Sequence, residues 1–537
     1  MTRDARMNLQ LVCINFITRF PKISFQNIKK PLYFPEKLAN FLLDRFLHSK
    51  KDPRIPSMLR GVTEIKVSSG MKLSKHQLEV IYNQFRDTLE TLEIDPQICL
   101  DGLHFAVNDF LRIKNLTIHA DSKLFTFIPE FLLKKANITL IVKNHNDLSN
   151  LPLFPINKLI IQDKKLTNEQ LQQISYSNSN IKELFIDNCT LISSFENCKF
   201  FQLQKLSARS TSLTNEALHA LSNQCGSLLV ELDLRGCEFI NSFENCSFTK
   251  LQNLNVRYTK LLTLIDLSSQ CGTTLEKLDI SDCNFINPFK ACAFTNLQIL
   301  YASTTKLINE ALQDLSTQCG TLLSHLNISY CPNISSFNNC HFSKIKSISA
   351  SITPITNEGL LALSHHSGTT LEDLYLISDK HTSFENCLFP KLRKLEIVSK
   401  KYNNETLQTI SRLYPNIEEL IIDSCFEITS IKGCLFPKLK KLSLWGSHFN
   451  NEELQNISTQ YAKSLEILNI AQCGQITSIE NCQFPHLRKI EITCCYFSYD
   501  ILQKLRLLGA SLETCKLNCF ISECKNRKKM SYQIISF

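Results

Sequence analysis

The sequence predicts a curved α/β solenoid, and three observations carry that expectation. A cysteine recurs every 46–48 residues, at Cys198, Cys246, Cys292, Cys340, Cys387, Cys434 and Cys482. Each period holds two copies of a short strand-like pattern, such as Leu232-Asp-Leu and Leu254-Asn-Val. The two returns between those strands differ, one short and one long enough for a helix. A chain that repeats one unit at such a period stacks that unit, because a single unit cannot bury its own apolar face.

The first strand of each period ends in cysteine, as in Leu232 to Cys237, Leu278 to Cys283 and Leu326 to Cys331. The short return that follows often reads Ser-Phe-Glu-Asn-Cys, identically at 194–198, 242–246 and 383–387. Its Phe243 and Cys246 are expected to fill the interior. The second strand opens at Leu206, Leu254, Leu395 or Leu442, and the longer return after it reads as a helix. Asn215, Asn309, Asn357, Asn404 and Asn451 stand at the helix start, each followed by Glu, which suits a helix N-terminus. Leu218 and Leu221, or Leu312 and Leu315, then share one face. Leu232 to Leu254 is 22 residues and Leu254 to Leu278 is 24, a spacing that fits leucine-rich repeats. Parallel strands are expected to line a concave face, with helices and turns on the convex face.

The stack is expected to begin before its clearest repeats, with strands at 62–67, 89–94 and 113–118 and an irregular stretch at 120–165. The last clear repeat strand is 487–492, followed by a helix near 499–508 and a cysteine-bearing strand. This divides the chain into an N-terminal helical region (1–55), early irregular repeats (56–165), regular double repeats (166–495) and a C-terminal cap with a basic tail (496–537).

Of the 537 residues, 43% are apolar and 20% charged, the balance of a folded chain. The net charge of +9 is modest for this length, and the basic run at 525–529 stands alone, so nucleic acid is not an expected partner. No segment reads as a membrane span or a signal peptide. The 23 cysteines fall mostly at inward repeat positions and suggest buried free thiols in a reduced compartment, cytoplasmic or nuclear. No phosphate-binding glycine loop, zinc-ligand pairing or nucleophile elbow occurs, so neither enzyme activity nor a metal or other cofactor is expected.

Between the core leucines, alternate side chains are expected to face the concavity. Among them Arg209, Arg257, Tyr301, Tyr375, Ile421 and Trp445 are the candidates for binding a protein target, the aromatic and aliphatic ones as an anchoring strip and the arginines as a basic end. Trp445 is the chain's single tryptophan.

The first fifty residues leave the repeat. Leu9, Cys13 and Ile17 share one helical face, and Pro35 suits the first turn of a second helix that carries Leu38 and Leu42. Two such helices also suit a cap for the open end of the stack. Leu9-x-x-x-Cys13-x-x-x-Ile17 resembles the elongin-binding box of substrate receptors for cullin-based ubiquitin ligases. Phe34-Pro35-x-x-Leu38-x-x-x-Leu42 resembles the cullin-2 box that follows it. With the repeats, the order is similar to the ZYG11/ZER1 family. The resemblance implies that Leu9, Cys13 and Ile17 bind elongin B/C, that Phe34, Pro35, Leu38 and Leu42 contact cullin-2, and that the repeats bind the substrate. Asn8 departs from the small residue or proline usual there, and the family's armadillo-like domain has no counterpart in this sequence. Pro35-Glu-x-Leu38 also resembles the start of an F-box, whose partners are Skp1 and cullin-1. A scaffold without ligase partners is the third reading.

Overall fold

In the computed structural model the chain divides into two compact units, Met1–Ser207 and Ala208–Phe537. The structure describes residues 155–283, 289–377, 380 and 383–493, with shorter stretches at 64–66, 90–94, 114–119, 136–143, 512–518 and 533–536. The first unit holds strands β1 (Glu64–Lys66), β2 (Thr91–Ile94), β3 (Asn115–His119), β4 (Asn137–Val142), β5 (Lys158–Ile161), β6 (Glu183–Phe185) and β7 (Lys205–Ser207), with helix α1 (Asn168–Ser177) between β5 and β6. Each strand pairs in parallel with the next. β4 and β5 thus carry regular pairing through the stretch the sequence leaves irregular.

The second unit is the leucine-rich-repeat solenoid at its most regular. Its strands are β8 (Glu231–Asp233), β9 (Asn253–Asn255), β10 (Lys277–Asp279), β11 (Ile299–Tyr301), β12 (His325–Asn327), β13 (Ser347–Ser349), β14 (Asp373–Ile377), β15 (Lys394–Val398), β16 (Glu419–Ile421), β17 (Lys441–Ser443), β18 (Ile467–Asn469), β19 (Lys489–Thr493) and β20 (Thr514–Asn518). They form one parallel ladder in which Leu232, Leu254, Leu278, Leu300 and Leu326 pair in line and continue through Leu374, Leu420 and Leu468. Each of these leucines is at most 2% exposed. Burying one such side chain contributes about 1.5–3 kcal/mol, so the central position of every strand fixes the register. The ladder ends differently from the all-parallel expectation, because β21 (Gln533–Ser536) pairs antiparallel with β20. An antiparallel partner needs no crossover and covers the open edge of the last parallel strand.

Helices occupy every second return: α2 (Asn215–Cys225), α3 (Ile265–Cys271), α4 (Asn309–Cys319), α5 (Asn357–Ser367), α6 (Asn404–Leu413) and α7 (Asn451–Tyr461). Their leucines, such as Leu218, Leu221, Leu312 and Leu315, are fully buried against the layer beneath. The helix-opening asparagine has a different role from N-terminal capping. Capping falls to the residue before it: Thr214, Thr356, Asn403 and Asn450 accept from the backbone N–H of Ala217, Gly359, Thr406 and Glu453. The asparagine side chain instead crosses to the next short return. Oδ1 of Asn215 accepts from the amides of Asn241 (3.1 Å) and Ser242 (3.3 Å). Asn168, Asn309, Asn404 and Asn451 each grip two successive amides in the same way. Amides of the irregular return, which make no ladder hydrogen bonds of their own, are thereby given a partner.

The Ser-Phe-Glu-Asn-Cys return is a tight turn. Phe243 O accepts from Cys246 N at 3.2 Å, and Asn245 adopts φ +58°. Asn tolerates this left-handed conformation better than most residues, which accounts for its place before the cysteine. Asn197, Asn339, Asn386 and Asn481 repeat it. The phenylalanines of adjoining segments meet edge to face, Phe243 with Phe248 at 6.3 Å and Phe289 with Phe294 at 5.9 Å between centroids.

Candidate protein-binding face

The parallel register of the second unit lines the residues flanking each core leucine into rows on the open side of the sheet. One row runs through Asp279, Tyr301, Asn327, Ser349, Tyr375, Glu396 and Ile421. Tyr301, Tyr375 and Ile421 therefore share a row, all half-buried, but they are not contiguous. Asn327 and Ser349 stand between the tyrosines, and Glu396 separates Tyr375 from Ile421. Trp445 is two residues beyond the equivalent Ser443, on the neighbouring row, and 38% exposed. Its backbone N–H donates to Asp423 Oδ1 at 2.9 Å, and its carbonyl accepts from Ser424 N at 2.7 Å.

The arginines lie toward the N-terminal end of this unit, and both are neutralised. Arg209 Nε donates to Asp233 Oδ2 at 2.8 Å, and Arg257 Nε to Asp282 Oδ2 at 2.8 Å. The tyrosines sit nearer a different kind of charge. Glu419 lies between Lys394 (3.0 Å) and Lys441 (3.4 Å), and these lysines hold its carboxyl below the usual range against the opposing effect of burial. Burial, with Asp423 nearby, pushes Glu396 up. Burial likewise raises Asp423, although the Ser443 hydroxyl donates to it at 2.6 Å. The face thus presents half-buried aromatic and carboxylate groups on a rigid backbone, a surface able to bind a protein segment by packing and by charge.

Two features of this unit are not among the binding candidates that the sequence offers. Arg235 lies between Arg209 and Arg257 in the same row, and periodicity alone does not single it out. A cleft of about 720 Å³ opens at the strand exits, lined by Pro332, Ile352, Ile377, Val398 and Phe426 among others. Ile377 and Val398 end β14 and β15, and the other lining residues lie in the turns just beyond the strands. Ile352 holds φ +56° there, an uncommon conformation for a β-branched side chain, and is half exposed. Leu9, Cys13, Ile17, Phe34, Pro35, Leu38 and Leu42 lie outside the described residues, as does the helix expected near 499–508.

The repeated cysteines are free thiols, and all but Cys292 of those described are buried. Burial pushes Cys198 and Cys246 up to about 11 and Cys225, Cys271 and Cys319 up to about 12. A thiol so far from ionising is a poor nucleophile and a poor metal ligand. Among the described residues no group of three or more His, Cys, Asp or Glu is placed to hold a metal ion, and no helix is long and apolar enough to cross a membrane.

No family model matches the chain, and no curated protein matches it in sequence. Solved structures resemble it in fold. The mouse RP105/MD-1 complex contains a chain that is 15% identical with a TM-score of 0.53, covering 86% of this chain and 84% of that one. The yeast Rad7 and Elc1 complex matches at 17% identity and a TM-score of 0.39, over 81% of this chain and 97% of that one. Internalin InlJ of Listeria monocytogenes matches at 17% identity and a TM-score of 0.40, over 66% of this chain and 72% of that one. The first is a likeness of fold alone, and the other two superpose too loosely to carry an argument.

Proposed function

We propose that this chain is the substrate-recognition subunit of an elongin BC–cullin-2 ubiquitin ligase. The repeats of the second unit bind a protein target through the open sheet face, with Arg209, Arg257, Tyr301, Tyr375, Ile421 and Trp445 as contacts. Residues 1–55 connect that target to the ligase, Leu9, Cys13 and Ile17 docking on elongin B/C and Phe34, Pro35, Leu38 and Leu42 on cullin-2. The observation that carries the binding half of this reading is the in-register sheet face, where half-buried tyrosines and a partly exposed tryptophan stand among ion pairs on a backbone that does not need to reorganise. The ligase half is supported by the order and spacing of the two N-terminal boxes. Such a subunit performs no bond chemistry and acts by holding a target lysine at high effective concentration near the conjugating enzyme.

Pull-down of the full chain with elongin B/C and, separately, with Skp1 tests it. Elongin capture is expected, and Leu9→Ala is expected to weaken it by about ten-fold or more while leaving the unfolding midpoint of the repeats unchanged. Skp1 capture in place of elongin supports the F-box reading, and capture of neither by folded protein leaves a scaffold.

A further inference from the structure

We propose that the recess around Arg235 binds the phosphoryl group of a phosphorylated serine or threonine in a protein target. This names the substrate chemistry of the receptor reading above, and it rests on that reading only in requiring the repeats to bind a protein.

Arg209, Arg235 and Arg257 occupy one position in three consecutive coils. Arg235 O accepts from Ser210 N at 2.7 Å and Arg257 O from Gly236 N at 2.8 Å, so the three backbones are immediate ladder neighbours. Neighbouring strands lie about 4.8 Å apart, close enough for their guanidinium groups to repel one another. The outer two are compensated, Arg209 by Asp233 and Arg257 by Asp282 and the Tyr258 hydroxyl. The middle one is not. Its Nε is buried without a hydrogen-bond partner, and no carboxylate among the described residues pairs with it. Asp233, the nearest in sequence, already accepts from Arg209 Nε and from the backbone amide of Arg235. A buried N–H of a charged group left without an acceptor is rare and costly, and it points to a ligand that supplies one.

The recess has a volume of about 460 Å³ and is lined by Ser210, Ser212, Arg235, Glu238, Phe239 and Tyr258, with Thr211 and Gly236. Phe239 and Tyr258 are 60% and 52% exposed and give apolar walls beside the charge. Glu238, the carboxylate on the rim, is exposed and therefore screened by solvent. A phosphoryl group carries close to two negative charges and three acceptor oxygens, which match the Arg235 guanidinium with the hydroxyls of Ser210, Thr211 and Ser212 beside it. The flanking aromatic rings suit peptide side chains on either side of the modified residue.

The test uses the full chain and fluorescence polarisation with a degenerate peptide pool centred on phosphoserine or phosphothreonine. The unphosphorylated pool, inorganic phosphate as competitor and phosphoinositide vesicles are the further arms. A preference of about ten-fold or more for the phosphorylated pool is expected, with inorganic phosphate competing. Arg235→Gln is expected to abolish that preference and to leave the unfolding midpoint unchanged or raised, since it removes an uncompensated charge. Equal binding of both pools, a preference that survives Arg235→Gln, a lowered midpoint in that variant, or binding to vesicles in place of peptides each overturns the proposal. Elongin capture is measured on the same preparation. Lost phosphopeptide preference with intact elongin capture rejects this site alone, and the converse rejects only the ligase coupling.

Discussion

Within the second unit, the coils carrying helices α2–α4 and those carrying α6 and α7 solve one packing problem in two ways. In the first group each helix closes on Cys-Gly. A Cβ on Gly226, Gly272 or Gly320 would strike the carbonyl oxygen of Ser247, Ala293 or His341, so the helix end is pressed onto the following short return. In the second group tyrosine takes the cysteine's place. Tyr414 packs against Phe384 and Phe389 and donates to Cys387 O at 3.0 Å. Tyr461 donates to Cys434 O at 3.0 Å, in a layer where Ile431 replaces the usual phenylalanine. At Tyr461 the larger helix end is met by a smaller turn residue, whereas at Tyr414 the turn phenylalanine stays and packs against the new ring. The strand edges differ as well. The residues preceding β14–β20 read Glu372, Arg393, Glu418, Lys440, Glu466, Arg488 and Glu513, strictly alternating in sign. Glu418 meets both Arg393 and Lys440 at 2.8 Å, and Arg488 meets Glu513 at 3.0 Å. The corresponding Val230, Gln252, Glu276 and Gln298 form no such series. Register is thus written in leucine throughout and in charge as well toward the C-terminus.

Six substitutions sharpen or break this comparison. The largest effect is expected for Phe243→Ala, a loss of about 3–5 kcal/mol in chemical denaturation, because a fully buried ring and its partner contact disappear. Asn215→Ala and Asn451→Ala are expected to cost about 1–3 kcal/mol each and to match one another, since both remove two hydrogen bonds to amides of the next return. Unequal losses would show that the clamp is not common to both groups. Gly272→Ala is expected to cost about 1–3 kcal/mol through its clash with the Ala293 carbonyl, whereas Ala462→Gly in the tyrosine group is expected to cost under about 1 kcal/mol. The smallest effect belongs to Glu418→Gln, under about 1 kcal/mol and weakened by salt, because the ion pairs are open to solvent. Arg393, followed by Lys440, holds the Glu418 carboxyl down to about 2 from its ordinary 4.5. Its contribution is therefore complete above pH 4.5 and is lost as pH falls toward about 2, where thermal melts of the Gln variant and the parent are expected to converge.

The architecture was legible because burial is periodic. Leu232, Leu254 and Leu278 pair in line as the spacing requires, and the recurrent Cys246 and Phe243 are interior. Contacts that cross between coils were less legible. Asn215 reads locally as a helix start, yet its partners lie 26 and 27 residues away. The anchoring strip was legible only in register. Tyr301, Tyr375 and Ile421 do share a row, but which small or charged residues fall between them depends on how many coils intervene. Arg235 carries the same residue type and row as its neighbours. What sets it apart is the carboxylate each neighbour has and it lacks, a property of side-chain placement that no spacing rule contains.

The buried thiols make the stack report on its own breathing. With Cys225, Cys271 and Cys319 held up to about 12 by burial, almost none of each is thiolate at neutral pH, and a reagent that attacks thiolates must wait for the coil to part. Because a cysteine stands in nearly every layer, the alkylation rate of each one, read by peptide mass, gives a coil-by-coil profile of opening free energies without any engineered label.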